Sequence, residues 1–321
     1  MNDGKDLPDD SYALHTDEYQ LNMIQTYWEK GIDQKKAVFE LYFRKLPFEN
    51  GYAIFAGLER VIEYINKLHF SATDLEYLKG TNDFPPAFLE YLRDFKFTAT
   101  IRSVVEGEVV FNNEPILQVE GPLVDCQLVE TAILNVVNYQ TLIATKAARM
   151  RSVVHDDGIM EFGTRRAQEF DAAIWGTRAA YIGGFDATSN VRAGKIFGIP
   201  TSGTHAHALV QAYRSDYEAF CAYAATHKNC VFLVDTYDTL RSGVPNAIKV
   251  AQEFGSKINF LGVRIDSGGD MAYISKRVRE QLDELVFLTP KSMLQMILMK
   301  KQLLILKCRV LKLMSGVSVL N

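Results

Sequence analysis

The 321-residue sequence lacks the marks of several protein classes. No apolar run approaches the ~18 residues that a membrane-spanning helix needs. The opening stretch, Met1 to Asp10, is polar and acidic, unlike a secretory signal. Cysteine is scarce: Cys126, Cys221, Cys230 and Cys308 form no C-x-x-C pair, which excludes a zinc knuckle and a disulfide scaffold. Basic charge is not in excess, with 35 Lys and Arg against 39 Asp and Glu and a net charge of −4. That balance argues against a dedicated nucleic-acid binder. Neither G-x-x-x-x-G-K nor G-x-G-x-x-G occurs, so the Walker and Rossmann fingerprints do not apply. The expectation is a soluble cytoplasmic protein with no membrane and no nucleic-acid partner.

What is present is an ordinary globular composition, 48% hydrophobic and 23% charged, long enough for one large or two modest domains. Thr16 reads as an N-cap, with Leu21, Ile24 and Trp28 at helical spacing and Gly31 as the stop. Ala37 to Arg44 and Leu58 to Leu68 read as amphipathic helices. Residues 97–101 and 109–119 alternate as strands, with a turn at Asn112-Asn113, and Cys126 to Arg149 returns to helix. From Val153 the rhythm changes. Short apolar strands at Ile159–Phe162, Ile199–Ser202, Val231–Asp235 and Ile258–Ile265 leave room for a helix between each pair, the βα repeat of a parallel sheet or barrel. A barrel is favoured because chemically rich residues follow all four strands, and barrel sites are built at strand C-termini. An open, doubly wound sheet would also bind ligands there. The chain is thus expected to hold a tail over 1–12, an α/β domain over 13–150, a partial βα barrel over 151–284 and a separate tail over 285–321.

Each candidate motif has a bland alternative. Gly203-Thr204-His205-Ala206-His207 offers two histidines able to act as nucleophile or proton carrier, or simply structural rings. Phe162-Gly163-Thr164-Arg165-Arg166 places two guanidiniums at a strand end, suited to a carboxylate or phosphate; the alternative is an ion pair with Glu161 or Glu169. Arg264-Ile265-Asp266-Ser267-Gly268-Gly269-Asp270 combines a cation, two carboxylates and a flexible backbone, or is a plain glycine turn. Gly183 to Asn190 is a second turn rich in glycine and hydroxyls. Together these describe a site for an anionic, phosphate-bearing substrate.

The strings are specific enough to carry a resemblance. Thr16-Asp17-x-Tyr19-Gln20, Phe162-Gly163-x-Arg165-Arg166-Ala167-Gln168, Gly183-Gly184-Phe185-Asp186 with Ser189-Asn190, Gly203-Thr204-x-Ala206-His207, Val234-Asp235-Thr236-Tyr237-Asp238-Thr239 and Val263-Arg264-Ile265-Asp266-Ser267-Gly268 occur in one order along the chain. In this the sequence resembles the nicotinate phosphoribosyltransferases, a family of type II phosphoribosyltransferases. The resemblance implies an α/β amino-terminal domain on an irregular βα barrel, here incomplete, and a homodimer. It implies transfer of the phosphoribosyl group of phosphoribosyl pyrophosphate to nicotinate, giving nicotinate mononucleotide and pyrophosphate, coupled to ATP hydrolysis. His207 would be phosphorylated by ATP, Tyr19 would stack on the pyridine, and Thr204 would contact nicotinate. Arg165 would face the carboxylate or a phosphate, and Arg264 the donor's phosphates. Asp235 and Asp266 are the candidates for holding Mg²⁺ or the ribose hydroxyls. A related enzyme acting on another pyridine, and a non-catalytic remnant, are the alternatives.

Two departures stand out. The family has one glycine between the serine and aspartate of the Arg264 loop, whereas this chain has Gly268 and Gly269. After Glu284 the resemblance stops: residues 285–321 hold six Lys or Arg, ten Leu and no Asp or Glu. With the whole chain at −4 and this tail at +6, residues 1–284 carry −10. A reading-frame shift accounts for the change. Methionine has a single codon, so Met296-Ile297 re-reads as aspartate and Met299-Lys300 as glutamate in the alternative frame, where the family expects an acidic segment. The expectation is an interrupted chain with uncovered apolar faces, poor solubility and impaired activity.

Overall fold

The computed structural model describes residues 11–154, 156–266 and 270–288. Gly268, Gly269 and the expected out-of-frame segment beyond Leu288 lie outside the described residues. The chain divides into two compact units. One holds the residues through Arg151 together with Trp175–Gly184; the other holds Ser152–Ile174 and the residues from Phe185 onward.

The first unit begins with α1 (Glu18–Glu29), whose N-cap is Asp17 rather than Thr16 and makes no side-chain capping bond. Gly31 ends the turn at φ +68°, a conformation that glycine adopts without a Cβ penalty. The next element corrects the sequence reading: Lys36–Leu41 is strand β1, not a helix. It pairs antiparallel with β5 (Leu117–Pro122), from Lys36 opposite Pro122 to Leu41 opposite Leu117. The reason is cross-strand burial. Ala37, Phe39 and Leu41 alternate with the more exposed Val38 and Glu40, a period of two that lies within the apolar run. Beyond it come β2 (Ala53–Ile54), α2 (Leu58–Lys67), α3 (Ala72–Thr81), α4 (Pro86–Arg93), β3 (Thr100–Ser103) and β4 (Val109–Val110). The sheet order is β1-β5-β3, while β4 pairs with β2. Asn113, at φ +58°, makes the expected turn.

Helix α5 (Leu123–Val154) is 32 residues long, about 48 Å at 1.5 Å per residue. Its apolar face, including Cys126, Leu128, Val129 and Val137, is buried in the core with Phe55, Phe88 and Leu92. Gly57, at φ +117°, caps α2 so close to Val137 that an added Cβ would lie 3.2 Å from its Cα.

The second unit is built on parallel pairing. β6 (Met160–Glu161) pairs with β7 (Ala187–Thr188), and Thr188 bridges in parallel to Thr201. Two expectations change here. The glycine-rich turn at 183–190 contains a strand, and Ile199–Ser202 contributes one bridge rather than a strand. Along the chain between these come α6 (Glu169–Ile182), which counts with the first unit from Trp175 onward, and α7 (Val191–Phe197), followed by α8 (His207–Gln211) and α9 (Asp216–Thr226). β8 (Asn229–Leu233) then pairs in parallel with β9 (Asn259–Arg264), with α10 (Val244–Phe254) between them and α11 (Met271–Leu288) after. Phe220, Phe232, Val234, Val244 and Val250 are fully buried here. Among the described residues the parallel strands form two separate fragments and no closed barrel, in keeping with the incomplete barrel expected. No helix among the described residues is long and apolar enough to cross a membrane.

Candidate active site

Buried strands deliver polar side chains to their C-terminal ends. Cys230 to Asp235 are all buried, and the chain emerges at Thr236; β9 runs beside it and ends at Arg264. The turn after β8 is fixed by Gly243, where any Cβ would collide with the carbonyl of Val234. Only glycine fits that approach. Ser242, beside it, donates to the carboxylate of Asp216 at the start of α9.

Arg264 is the centre of the arrangement. Its side chain is 14% exposed and ion-pairs with Asp266. Nη1 donates to Thr204 Oγ1 at 3.2 Å and to the His205 carbonyl at 3.3 Å. Its buried Nε has no hydrogen-bond partner among the described residues. The backbone N–H of Asp266 donates to Asp235 Oδ2 at 2.7 Å, which ties the two strand ends together. His207 stands at the first position of α8, half-buried, with Nδ1 3.0 Å from Thr236 Oγ1. Thr204, Arg264, Asp266 and Asp235 are therefore linked in one hydrogen-bonded chain, and His207 joins at Thr236, next to Asp235.

Arg165 lies elsewhere in this unit. It occupies an exposed helical turn, Thr164–Arg166, after β6. Among the described residues no ion pair joins it to Glu161 or Glu169. The buried Glu161 instead accepts from Thr188 Oγ1 at 2.7 Å and from the Gly163 N–H, shaping the turn that presents Arg165. Tyr19 belongs to α1 of the first unit and is 50% exposed. Its hydroxyl accepts from Gln20 Nε2 at 2.9 Å, and the buried Gln20 is in turn bonded to Gln127.

Sequence reasoning missed two residues. Thr236 stands in a quoted string but had no role assigned, and it is the partner of His207. His205 was weighed as an equal of His207 yet is buried, at 7% exposure. Its ring packs on Tyr223 with centroids 4.9 Å apart, and burial together with nearby Arg264 and His207 pushes its pKa down. No sequence signal separates the two histidines; they differ in what the fold brings within reach of each.

For a metal, the described residues contain no group of three or more His, Cys, Asp or Glu side chains placed to bind one. Asp235 Oδ2 accepts from the Asp266 N–H, and Asp266 Oδ2 accepts from Arg264. Such a pair suits Mg²⁺ only where a ligand's phosphates complete the shell, which is the usual Mg²⁺ pattern.

Comparison with known proteins bears on this geometry. Residues 14–138 match the nicotinate phosphoribosyltransferase N-terminal domain model, and residues 158–288 match the nicotinate phosphoribosyltransferase family model. The nicotinate phosphoribosyltransferase of Bacillus subtilis is 63% identical over 283 residues, which cover 88% of this chain and 58% of the relative. A Mycobacterium tuberculosis nicotinate phosphoribosyltransferase is 42% identical over 271 residues, covering 84% of this chain and 58% of its own length. The chain thus spans about three-fifths of the length of these relatives. The crystal structure of human nicotinic acid phosphoribosyltransferase superposes with a TM-score of 0.79 at 32% identity, over 87% of this chain and 65% of the human one. With two family models covering both units, the chain belongs to the nicotinate phosphoribosyltransferase family.

Proposed function

We propose that the chain carries out nicotinate phosphoribosyltransferase chemistry as a cytoplasmic homodimer, with ATP and Mg²⁺. Nicotinate and phosphoribosyl pyrophosphate yield nicotinate mononucleotide and pyrophosphate. The C1–O bond to pyrophosphate breaks, its electron pair leaving on oxygen, and the pyridine nitrogen supplies the pair for the new C1–N bond. Positive charge develops on the sugar and negative charge on the leaving group, so fixed cations at the leaving group lower the barrier. The observation that supports this assignment is Arg264: a guanidinium held by Thr204, the His205 carbonyl and Asp266, with Nε unpaired among the described residues.

In this reading Arg264 receives the donor's phosphates and Thr204 orients nicotinate beside them. Asp235 and Asp266 hold Mg²⁺ together with those phosphates or the ribose hydroxyls. Bound there, the ion would neutralise the departing pyrophosphate. His207, kept in place by Thr236, attacks the γ-phosphorus of ATP: an N–P bond forms, the bridging P–O bond breaks and ADP leaves. Tyr19 stacks on the pyridine, and Arg165 faces the carboxylate or a phosphate. Incubation with γ-labelled ATP, nicotinate and the ribosyl donor tests the scheme: mononucleotide should form with transient label on His207. Neither product nor label would overturn it. The out-of-frame reading of residues 285–321 is tested separately by resequencing the coding segment. An intact frame with ATG codons at Met296 and Met299 overturns it.

A further inference from the structure

His205 occupies the variable position of the Gly203-Thr204-x-Ala206-His207 string, so the resemblance assigns it nothing. Its surroundings do. Successive N–H groups of a strand point to opposite edges. The Val234 N–H donates to the Arg264 carbonyl at 3.0 Å, across the β8–β9 pairing. The Leu233 N–H therefore points to the other edge of β8, where no strand pairs among the described residues. His205 Nε2 accepts it at 3.2 Å. A buried backbone N–H must find an acceptor, and here an imidazole nitrogen supplies what a neighbouring strand would.

That bond has three consequences. Nε2 is an acceptor, so the proton sits on Nδ1 and the ring is neutral. The ring, wedged against Phe220 and Tyr223 of α9, anchors the segment bearing Thr204 and His207 to the end of β8. The His205 carbonyl, fixed by the same anchor, accepts from Arg264 Nη1. We propose that His205 is a positioning residue: its neutral ring, by capping the open edge of β8, sets the placement of Arg264 and His207 for binding a phosphorylated ligand. The binding part rests on the proposed function; the capping part does not.

The charged and titratable groups near the ring are Arg264 of β9, His207 of α8, Tyr223 of α9 and His227 at its end. An imidazolium at 205 would place an N–H against the Leu233 N–H and a positive charge beside Arg264. Acid should therefore undo the anchor.

The test uses the full chain with two substitutions. H205F keeps ring packing and removes the acceptor; H205Q offers an amide oxygen near the Nε2 position and does not titrate. In [¹⁵N]histidine-labelled wild type, His205 should carry its proton on Nδ1. Exchange of the Leu233 amide should stay slow in wild type and H205Q, and quicken about tenfold or more in H205F. The Kd for phosphoribosyl pyrophosphate, by calorimetry, should rise about tenfold in H205F and stay within about twofold in H205Q. Between about pH 7.5 and about pH 5.5, spanning the ordinary histidine range, wild type should lose more affinity than H205Q. A proton on Nε2, H205F matching wild type in exchange and affinity, or one shared acid profile for wild type and H205Q would each overturn the proposal. If none of the proteins binds the donor while tautomer and exchange behave as expected, the proposed function falls and the capping role stands.

Discussion

Buried polar groups serve different ends in the two units. In the first, two carboxylates tie together segments far apart in sequence. Asp125 Oδ2 accepts from the Thr98 N–H at 2.6 Å, the Thr98 hydroxyl at 3.0 Å and the Ala99 N–H at 2.8 Å. Glu106 accepts from the N–H groups of Gly57 and Leu58 and from both Nη atoms of Arg178, which holds its pKa below the usual carboxylate range despite burial. In the second unit, Arg264 lies among side chains and a loop carbonyl with one donor unmatched among the described residues. Carboxylates that complete their bonding within the protein, across distant segments, shape the chain. A buried cation with spare donor capacity at a strand end is prepared for a ligand.

Arg264→Ala should show the largest effect, confined to activity. Loss of a preorganised donor from a transition-state site costs about 10²–10³-fold in kcat/KM. The urea midpoint should move far less than activity does, since the Asp266 carboxylate left behind is 22% exposed rather than fully buried. A large loss of stability with activity per folded molecule preserved would break the comparison. Asp125→Ala should do the reverse. Removing an acceptor of three bonds from a buried site should lower stability by about 3 kcal/mol, read by urea unfolding, with unchanged kcat per folded molecule.

Much of this was legible in the sequence. The residues after Val234 and Val263 were recognisable because buried strands ending in charge are rare without a purpose, and Arg264, Asp235, Asp266 and Thr204 do meet. β1 was not legible: Ala37–Arg44 supports both a helical and an alternating pattern, and only its pairing with β5 decides. The strand at Ala187–Thr188 was hidden because two residues carry no periodicity; its pairing with Met160–Glu161 defines it. His205 and His207 are indistinguishable by type. They differ in which backbone edge lies within reach, a fact of tertiary structure.

A smaller effect should appear with acid. His205 has a lowered pKa in the folded state, so below about pH 6.5 the unfolded chain binds more protons than the folded one. This contribution to stability is fully present above that pH and declines as pH falls through the window beneath it. The urea midpoint of wild type should therefore drop more than that of H205Q between about pH 7 and about pH 5.5. Equal drops would remove His205 from the comparison.

The smallest effect tests a helix cap of the first unit. Ser71 and Asp74 form a capping box at the start of α3: the Asp74 N–H donates to Ser71 Oγ at 3.1 Å, and the Ser71 N–H donates to Asp74 Oδ2 at 2.7 Å. Asp74 also accepts from Ser11 Oγ at 2.7 Å, so the cap holds an earlier segment as well as the helix. Ser71→Ala removes one half of the box and should lower stability by about 1 kcal/mol, whereas Ser71→Gly should lose only a few tenths. Both variants should bind phosphoribosyl pyrophosphate as wild type does, because the box satisfies only helix and segment donors. A donor affinity that tracks the loss of the cap would mean that polar groups of the first unit also set the site, and the division between shaping and binding would fail there.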